Sequence, residues 1–193
     1  MKALFLKYKS VLRFVILFLG TYLVLSFLYS VYLDKSQGGA YYPDYFTHIV
    51  AKQSSVLIEW MGYASKIEPH ETEASQKLFV NKEFMVRIVE GCNAASIIIL
   101  FISFIISFAE NFKKTLLFLL GGGLLIYMVN LIRIAILTVM YYEYPQYQDI
   151  LHSVVFPAII YGMVFLLWMV WVRMLPKNEL ELENEVEKGK NND

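Results

Sequence analysis

A single cysteine, Cys92, occurs in 193 residues, so no disulfide can form within the chain. Charge is scarce as well. Asp, Glu, Lys and Arg together make up 18% of the residues, against 58% hydrophobic and 16% aromatic. A soluble domain of this length rarely carries so little charge with so much apolar surface. There is no internal repeat, no glycine-rich phosphate loop and no His/Cys/Asp cluster at metal-ligand spacing. Neither a cofactor nor a metal is therefore expected. The formal net charge of +0 hides a segregated pattern and offers nothing to nucleic acid as a partner.

What the chain does have is long apolar runs. Mean hydropathy is +0.50. The apolar residues are blocked together rather than spread at amphipathic spacing, which indicates membrane spans. The fold class expected is an all-α integral membrane protein of about four transmembrane helices, with a small extracytoplasmic α+β segment between the first and second. Residues 1–33 hold the first helix, with an apolar run from Val11 to about Leu33. Lys2, Lys7, Lys9 and Arg13 precede or begin that run, and the positive-inside rule puts this end in the cytoplasm. Ser36 to Ala40 is a poor cleavage site, and the apolar run exceeds a signal peptide's ~7–15 residues, so the helix reads as uncleaved.

Residues 34–90 are then outside. Gly38-Gly39 marks a loop and Pro43-Asp44 a helix start. Tyr45 to Met61 fits, imperfectly, a helix along the membrane surface. Lys66 to Lys77 is polar with a breaker at Pro69. Leu78 to Val89, turning at Asn81-Lys82-Glu83, reads as a β-hairpin that delivers the chain to Cys92. Residues 91–175 form a three-helix core with spans at about Cys92 to Ala109, Thr115 to Tyr142 and His152 to Val172. Lys113-Lys114 and Arg173 mark inner ends. Gly121-Gly122-Gly123 weakens the third span or admits a close neighbour. Residues 176–193 are a charged cytoplasmic tail without an assigned function.

Three polar residues fall near one depth in this topology. Cys92 lies 20 residues above Phe112, Arg133 18 above Thr115 and His152 21 above Arg173. At about 1.5 Å per residue those are roughly 30, 27 and 31 Å. Cys92 and His152 would sit at positive helix N-termini and Arg133 near a negative C-terminus, which biases each toward the ionisation state nucleophilic catalysis needs. Each also has a structural alternative. A lone cysteine is commonly a small buried hydrophobe, an interfacial histidine a satisfied polar tip, and Arg133 could snorkel to the surface. Asn130, one turn before Arg133, either orients it or joins helices. Glu90, Glu143 and Asp149 read as solvated, with Asp149 close enough in sequence to influence His152. No partner for His48 or His70 is evident. Together, Cys, His and a cationic donor supply nucleophile, base and oxyanion stabiliser for acyl transfer.

Glu90-Gly91-Cys92, then Asn130 to Ile134 around Arg133, then His152 before an apolar helix resembles the exosortase/archaeosortase family, most closely the small Bacteroidetes-type class. The resemblance covers about Val86 to Leu175. It implies a membrane-embedded cysteine protease or transpeptidase of the bacterial inner membrane, its site facing the periplasm. The implied partners are an exported protein with a C-terminal transmembrane sorting tail, membrane lipid and an accessory membrane protein. Carried over, Cys92 is the nucleophile, Arg133 the stabilising cation and His152 the base, with Asn130 in support. Many members read Cys-Ser-Gly where this chain has Cys92-Asn93-Ala94, and many have about twice as many spans. Two other classes compete with the enzyme. One is a non-catalytic membrane assembly factor, with Asn130 and Arg133 as helix glue. The other is a small transporter, disfavoured by the lack of inverted repeats. Reporter fusions test the topology on which the depth comparison rests: both termini are expected inside and residues 34–90 outside. A C-terminal tail found outside would remove that comparison.

Overall fold

The computed structural model describes residues 9–36, 41, 43–109 and 111–175. The basic Lys2 and Lys7, the Gly38-Gly39 loop and the charged tail expected from Leu180 to Asp193 lie outside the described residues. Helix α1 (Lys9–Ser36) is apolar throughout and shows much of its surface, with Ile16, Leu23 and Phe27 all well exposed. Its contacts are made through aromatic rings. Phe14 meets Phe104 and Phe108 at centroid distances of 6.0 and 4.6 Å.

Helix α2 (Tyr45–Trp60) starts at the expected place, because Asp44 caps it: its Oδ1 accepts from the Thr47 amide at 2.9 Å. Gly62, at φ +94°, turns the chain away from its C-terminus. Rather than simply resting on a membrane surface, α2 buries Val50, Ala51 and Ile58 completely against protein. The protein it meets is a sheet with strands β1 (Ser65–Pro69), β2 (Gln76–Val80) and β3 (Glu83–Ile88), antiparallel in the order β1-β2-β3. The expected hairpin is thus β2–β3, closed by Asn81 and Lys82 with φ of 50° and 73°, a type I′ geometry. The added strand β1 comes from the polar Lys66–Pro69 stretch that the sequence reading passed over. Gln76, Leu78 and Val80 alternate inward on β2, and the sheet closes over α2 and the upper part of the next long helix.

A 3₁₀ turn (Glu90–Cys92) leads to α3 (Ala95–Ser107), followed by α4 (Phe112–Glu143), a 3₁₀ turn (Pro145–Tyr147), one short helical turn, a π-helical stretch (Leu151–Val155) and α5 (Phe156–Met174). Among the described residues, three helical segments, not the expected four, are long and apolar enough to cross a membrane: Val11–Ser36, Phe112–Glu143 and Pro145–Met174. The correction falls on Cys92 to Ala109. Its helix has only 13 residues, or ~20 Å of the ~30 Å hydrocarbon thickness. The cause is local. Ala94 takes a left-handed φ of 64° and Phe108 leaves helical geometry, so three residues at the start and two at the end are lost. The short helix is shielded by the longer ones: from Ile97 to Ser107 every residue is at least half covered. Phe101 and Ile105 are fully buried, clustering with Ile126, Val164 and Trp171, and Phe104 stacks on Trp168 at 4.4 Å.

Of the three glycines in α4, one has a packing reason. A Cβ on Gly122 would lie 2.3 Å from Phe101 Cζ, whereas one on Gly121 or Gly123 would meet nothing. Gly122 is where α3 and α4 approach most intimately, and Phe101 has no free volume to retreat into. Gly122→Ala is expected to lower the thermal midpoint in detergent, since overpacking costs ~1–3 kcal/mol. Gly121→Ala and Gly123→Ala should leave it unchanged or raise it, because alanine gains up to about 1 kcal/mol over glycine in a helix. Equal behaviour of all three would contradict the packing role.

Candidate active site

The segment bearing Cys92 is short, irregular and held from three sides. β3 runs directly into it, and the Cys92 amide donates to the Val89 carbonyl at 2.8 Å. Asn93, completely buried, donates through Nδ2 to Tyr29 Oη at 2.8 Å and to Thr47 Oγ1 at 3.0 Å. Its Oδ1 accepts from the Ala95 amide at 2.9 Å, which satisfies one of the free amides at the start of α3. Tyr32 of α1 donates to Asp44 Oδ1 at 3.2 Å. Helices α1 and α2 are thereby tied to each other and to the residue after the cysteine.

The third side is α4. Asn130, also fully buried, donates from Nδ2 to the Cys92 carbonyl at 2.8 Å. Its Oδ1 accepts from Arg133 Nη1 at 3.3 Å. One amide therefore joins the cysteine's backbone to the guanidinium, so of the two uses expected for Asn130 it serves both, orienting Arg133 and joining segments. Arg133 Nε is buried with no acceptor among the described residues, leaving a donor without a partner in the wall of the site.

His152 arrives from the other direction. It lies exposed within the π-helical stretch, a wider helical turn that shifts side-chain direction relative to an α-helix. Cys92, Arg133 and His152 all line one pocket of ≈ 350 Å³, together with Asp149, Tyr141 and residues of β3. Among the described residues no hydrogen bond joins the Cys92 thiol to the imidazole or to the guanidinium. The three line one cavity with no hydrogen bond among their side chains in the described residues.

The structure alters the electrostatic expectations. Cys92 precedes the first residue of α3 by three positions, and His152 is past the first turn of a helical run that begins at Pro145. Arg133 is ten residues short of the α4 terminus at Glu143, or ~15 Å. None of the three therefore occupies the helix-end position at which the sequence reading placed it. Glu143 instead accepts a hydrogen bond from Tyr63 Oη at 3.0 Å, which raises the phenol's pKa. Of the remaining histidines, His48 Nδ1 is 3.4 Å from Gln76 Nε2, and His70 Nδ1 accepts from the Thr72 and Glu73 amides.

Sequence reasoning missed Asn93, Thr47 and Tyr29. Asn93 carried one usable signal, a polar amide immediately after the cysteine at the mouth of an apolar run. The other two are distant in sequence and unremarkable in type. The Ala94 backbone is left-handed, at φ 64°, where a Cβ costs about 1–2 kcal/mol.

Two substitutions probe this frame. Ala94→Gly should stabilise the chain by about 1 kcal/mol by relieving the left-handed strain. Asn130→Ala should destabilise it by ~1–3 kcal/mol, because the Cys92 carbonyl and Arg133 both lose their buried partner. Denaturant titration of the purified protein in detergent measures each. An unchanged midpoint for Asn130→Ala would mean the amide holds nothing.

No curated protein and no solved structure matches the chain. Among the described residues no group of three or more His, Cys, Asp or Glu side chains is placed to hold a metal ion. A family model described as transmembrane exosortase matches residues 6–174, a range that takes in helices α1 to α5, the sheet and every residue that lines the pocket. The chain belongs to the transmembrane exosortase family.

Proposed function

We propose that the protein is a membrane-embedded cysteine peptidase or transpeptidase, of the small Bacteroidetes-type exosortase class. Its substrates are exported proteins with a C-terminal sorting tail, which it cuts at the outer face of the inner membrane. Residues 34–90 form its periplasmic segment and 91–175 its catalytic core. The observation that carries this is the convergence of Cys92, Arg133 and His152, from three separate segments, on one pocket.

In the reaction, His152 takes the Cys92 proton and the thiolate attacks the scissile carbonyl. The negative charge passes to the carbonyl oxygen, which the Arg133 guanidinium faces with donors not engaged by Asn130. Collapse breaks the C–N bond, the leaving amine takes the proton from His152, and a thioester remains on Cys92. Water or an amine then attacks the thioester, passes its proton to the imidazole and restores the thiol. The unpartnered Arg133 Nε supports this assignment, since a buried donor without an acceptor costs free energy that a bound oxyanion would recover. The lack of a thiol–imidazole hydrogen bond is compatible with it, because such bonds form or tighten when substrate binds.

Processing of a tail-bearing substrate by site variants is the test. Cys92→Ala should abolish cleavage without loss of membrane insertion. Cys92→Ser should be nearly as damaging, since a hydroxyl beside a weak base stays protonated. Arg133→Lys keeps the charge but not the planar fork. It should insert normally and run at least ~100-fold slower, the usual effect of losing one oxyanion donor. Near-normal processing by Arg133→Lys would make Arg133 a structural residue, as in an assembly factor.

A further inference from the structure

The pocket has a wall that the chemistry above does not use. Phe84, Met85, Val86, Arg87 and Ile88 all line it. Successive residues of a strand point to opposite faces of its sheet, so a cavity lying on one face would be lined by every second residue. Five consecutive residues can border one cavity only if it runs along the edge of the strand. β3 is an edge: the sheet order is β1-β2-β3, and β3 pairs with β2 alone. Among the described residues, no turn, loop or cap backbone hydrogen bond involves residues 83–88. The pairing with β2 shifts register at Met85, which faces no partner; on either side of that bulge every second residue of β3 presents an N–H and a C=O that β2 does not satisfy.

The two edges of the sheet differ in kind. β1 ends in Pro69 and carries Lys66 paired with Glu68 at 2.6 Å, features that blunt a strand edge. The β3 edge carries no proline and no ion pair along its own strand; it has one bulge, at Met85, between the apolar Phe84 and Val86, and Val86 packs toward the cluster of Leu137, Tyr141 and Phe156. Four residues after Ile88 the same backbone reaches Cys92. An extended segment laid along β3 would thus be delivered to the thiol.

We infer that the β3 edge binds the substrate by strand addition. The occupant is the extended segment that immediately precedes the sorting tail's transmembrane helix, paired parallel to β3 with its scissile bond beyond Ile88, at Cys92. The proposal rests on the peptidase reading and deepens it. The direction follows from the chain itself. β3 runs toward Cys92 and then into the apolar α3, and a substrate that continues into a membrane helix must run the same way. Main-chain hydrogen bonds supply affinity in this mode, and alternate side chains supply selectivity.

Disulfide mapping tests this, made simple by the single cysteine. In the full-length chain with Cys92→Ala, a cysteine is placed at Arg87 or at Phe84, both exposed positions. The probe is the C-terminal tail of an exported protein from the same cell, with an extended segment, one apolar helix and a basic cluster, carrying single cysteines in turn. Both are reconstituted in proteoliposomes and oxidised. Strand addition predicts cross-links that alternate with a period of two along the tail. The maximum should lie nearer the tail's membrane helix for Arg87→Cys than for Phe84→Cys. A helical period, a uniform profile, the reverse shift, or cross-links chiefly between two copies of the chain would overturn it. So would the absence of any cross-link to a tail that the unmodified chain cleaves. An alternating profile with a tail that the unmodified chain never cleaves would keep the strand and remove the peptidase.

Discussion

The hydrogen bond from Asn130 to the Cys92 carbonyl is the contact on which the site depends. It places a non-helical stretch of backbone against a long apolar helix, in a setting where an unsatisfied carbonyl is expensive. Because Asn130 spends its other atom on Arg133, the same amide also ties the Cys92 backbone to the guanidinium. Asn93 performs the complementary task on the opposite side, through Tyr29 and Thr47. Two buried carboxamides, with all their short contacts to backbone or hydroxyl groups, hold the cysteine segment to α1, α2 and α4 at once.

That arrangement explains why α3 is short. Had the chain entered a helix at Cys92, the residue's carbonyl would have been taken up in the helical ladder and unavailable to Asn130. The left-handed turn at Ala94 postpones the helix and leaves Cys92 in the wall of the pocket. What α3 then lacks in length is tolerable because α1, α4 and α5 surround it, and irregular backbone at membrane depth is permitted where protein covers it. The Phe101 ring over Gly122 and the Phe104–Trp168 stack are how that cover is achieved.

Much of this was legible from residue patterns, and the gaps have physical causes. Long apolar runs are unambiguous, so α1, α4 and α5 fall close to where hydropathy placed them. Asp44 announced α2 and Asn81 the hairpin, since capping and left-handed turn positions select few residue types. β1 was missed because Lys66, Glu68 and Pro69 are what an edge strand uses to protect itself, and such residues look like loop. The second expected span, Cys92 to Ala109, was overcounted because hydropathy registers that it is apolar but not that Ala94 breaks the helix. Cys92, Arg133 and His152 were placed at one level by counting helical rise. Two of the helix bounds behind that count were wrong, yet the three line one pocket; Asn130 fixes the level of Cys92 and Arg133 directly, while His152 reaches the pocket from the separate π-helical stretch. Tyr29 and Thr47 gave no sign, being ordinary residues whose role exists only after folding.

The account stands or falls on whether Cys92 carries an acyl group. Mass spectrometry of the protein recovered from membranes during turnover of a tail-bearing substrate addresses this directly. Acyl transfer predicts a hydroxylamine-sensitive adduct on the peptide containing Cys92, with a mass equal to the substrate segment ending at the cleaved bond. Unmodified Cys92 in a preparation that is cleaving the substrate, trapped under the same conditions, would contradict it.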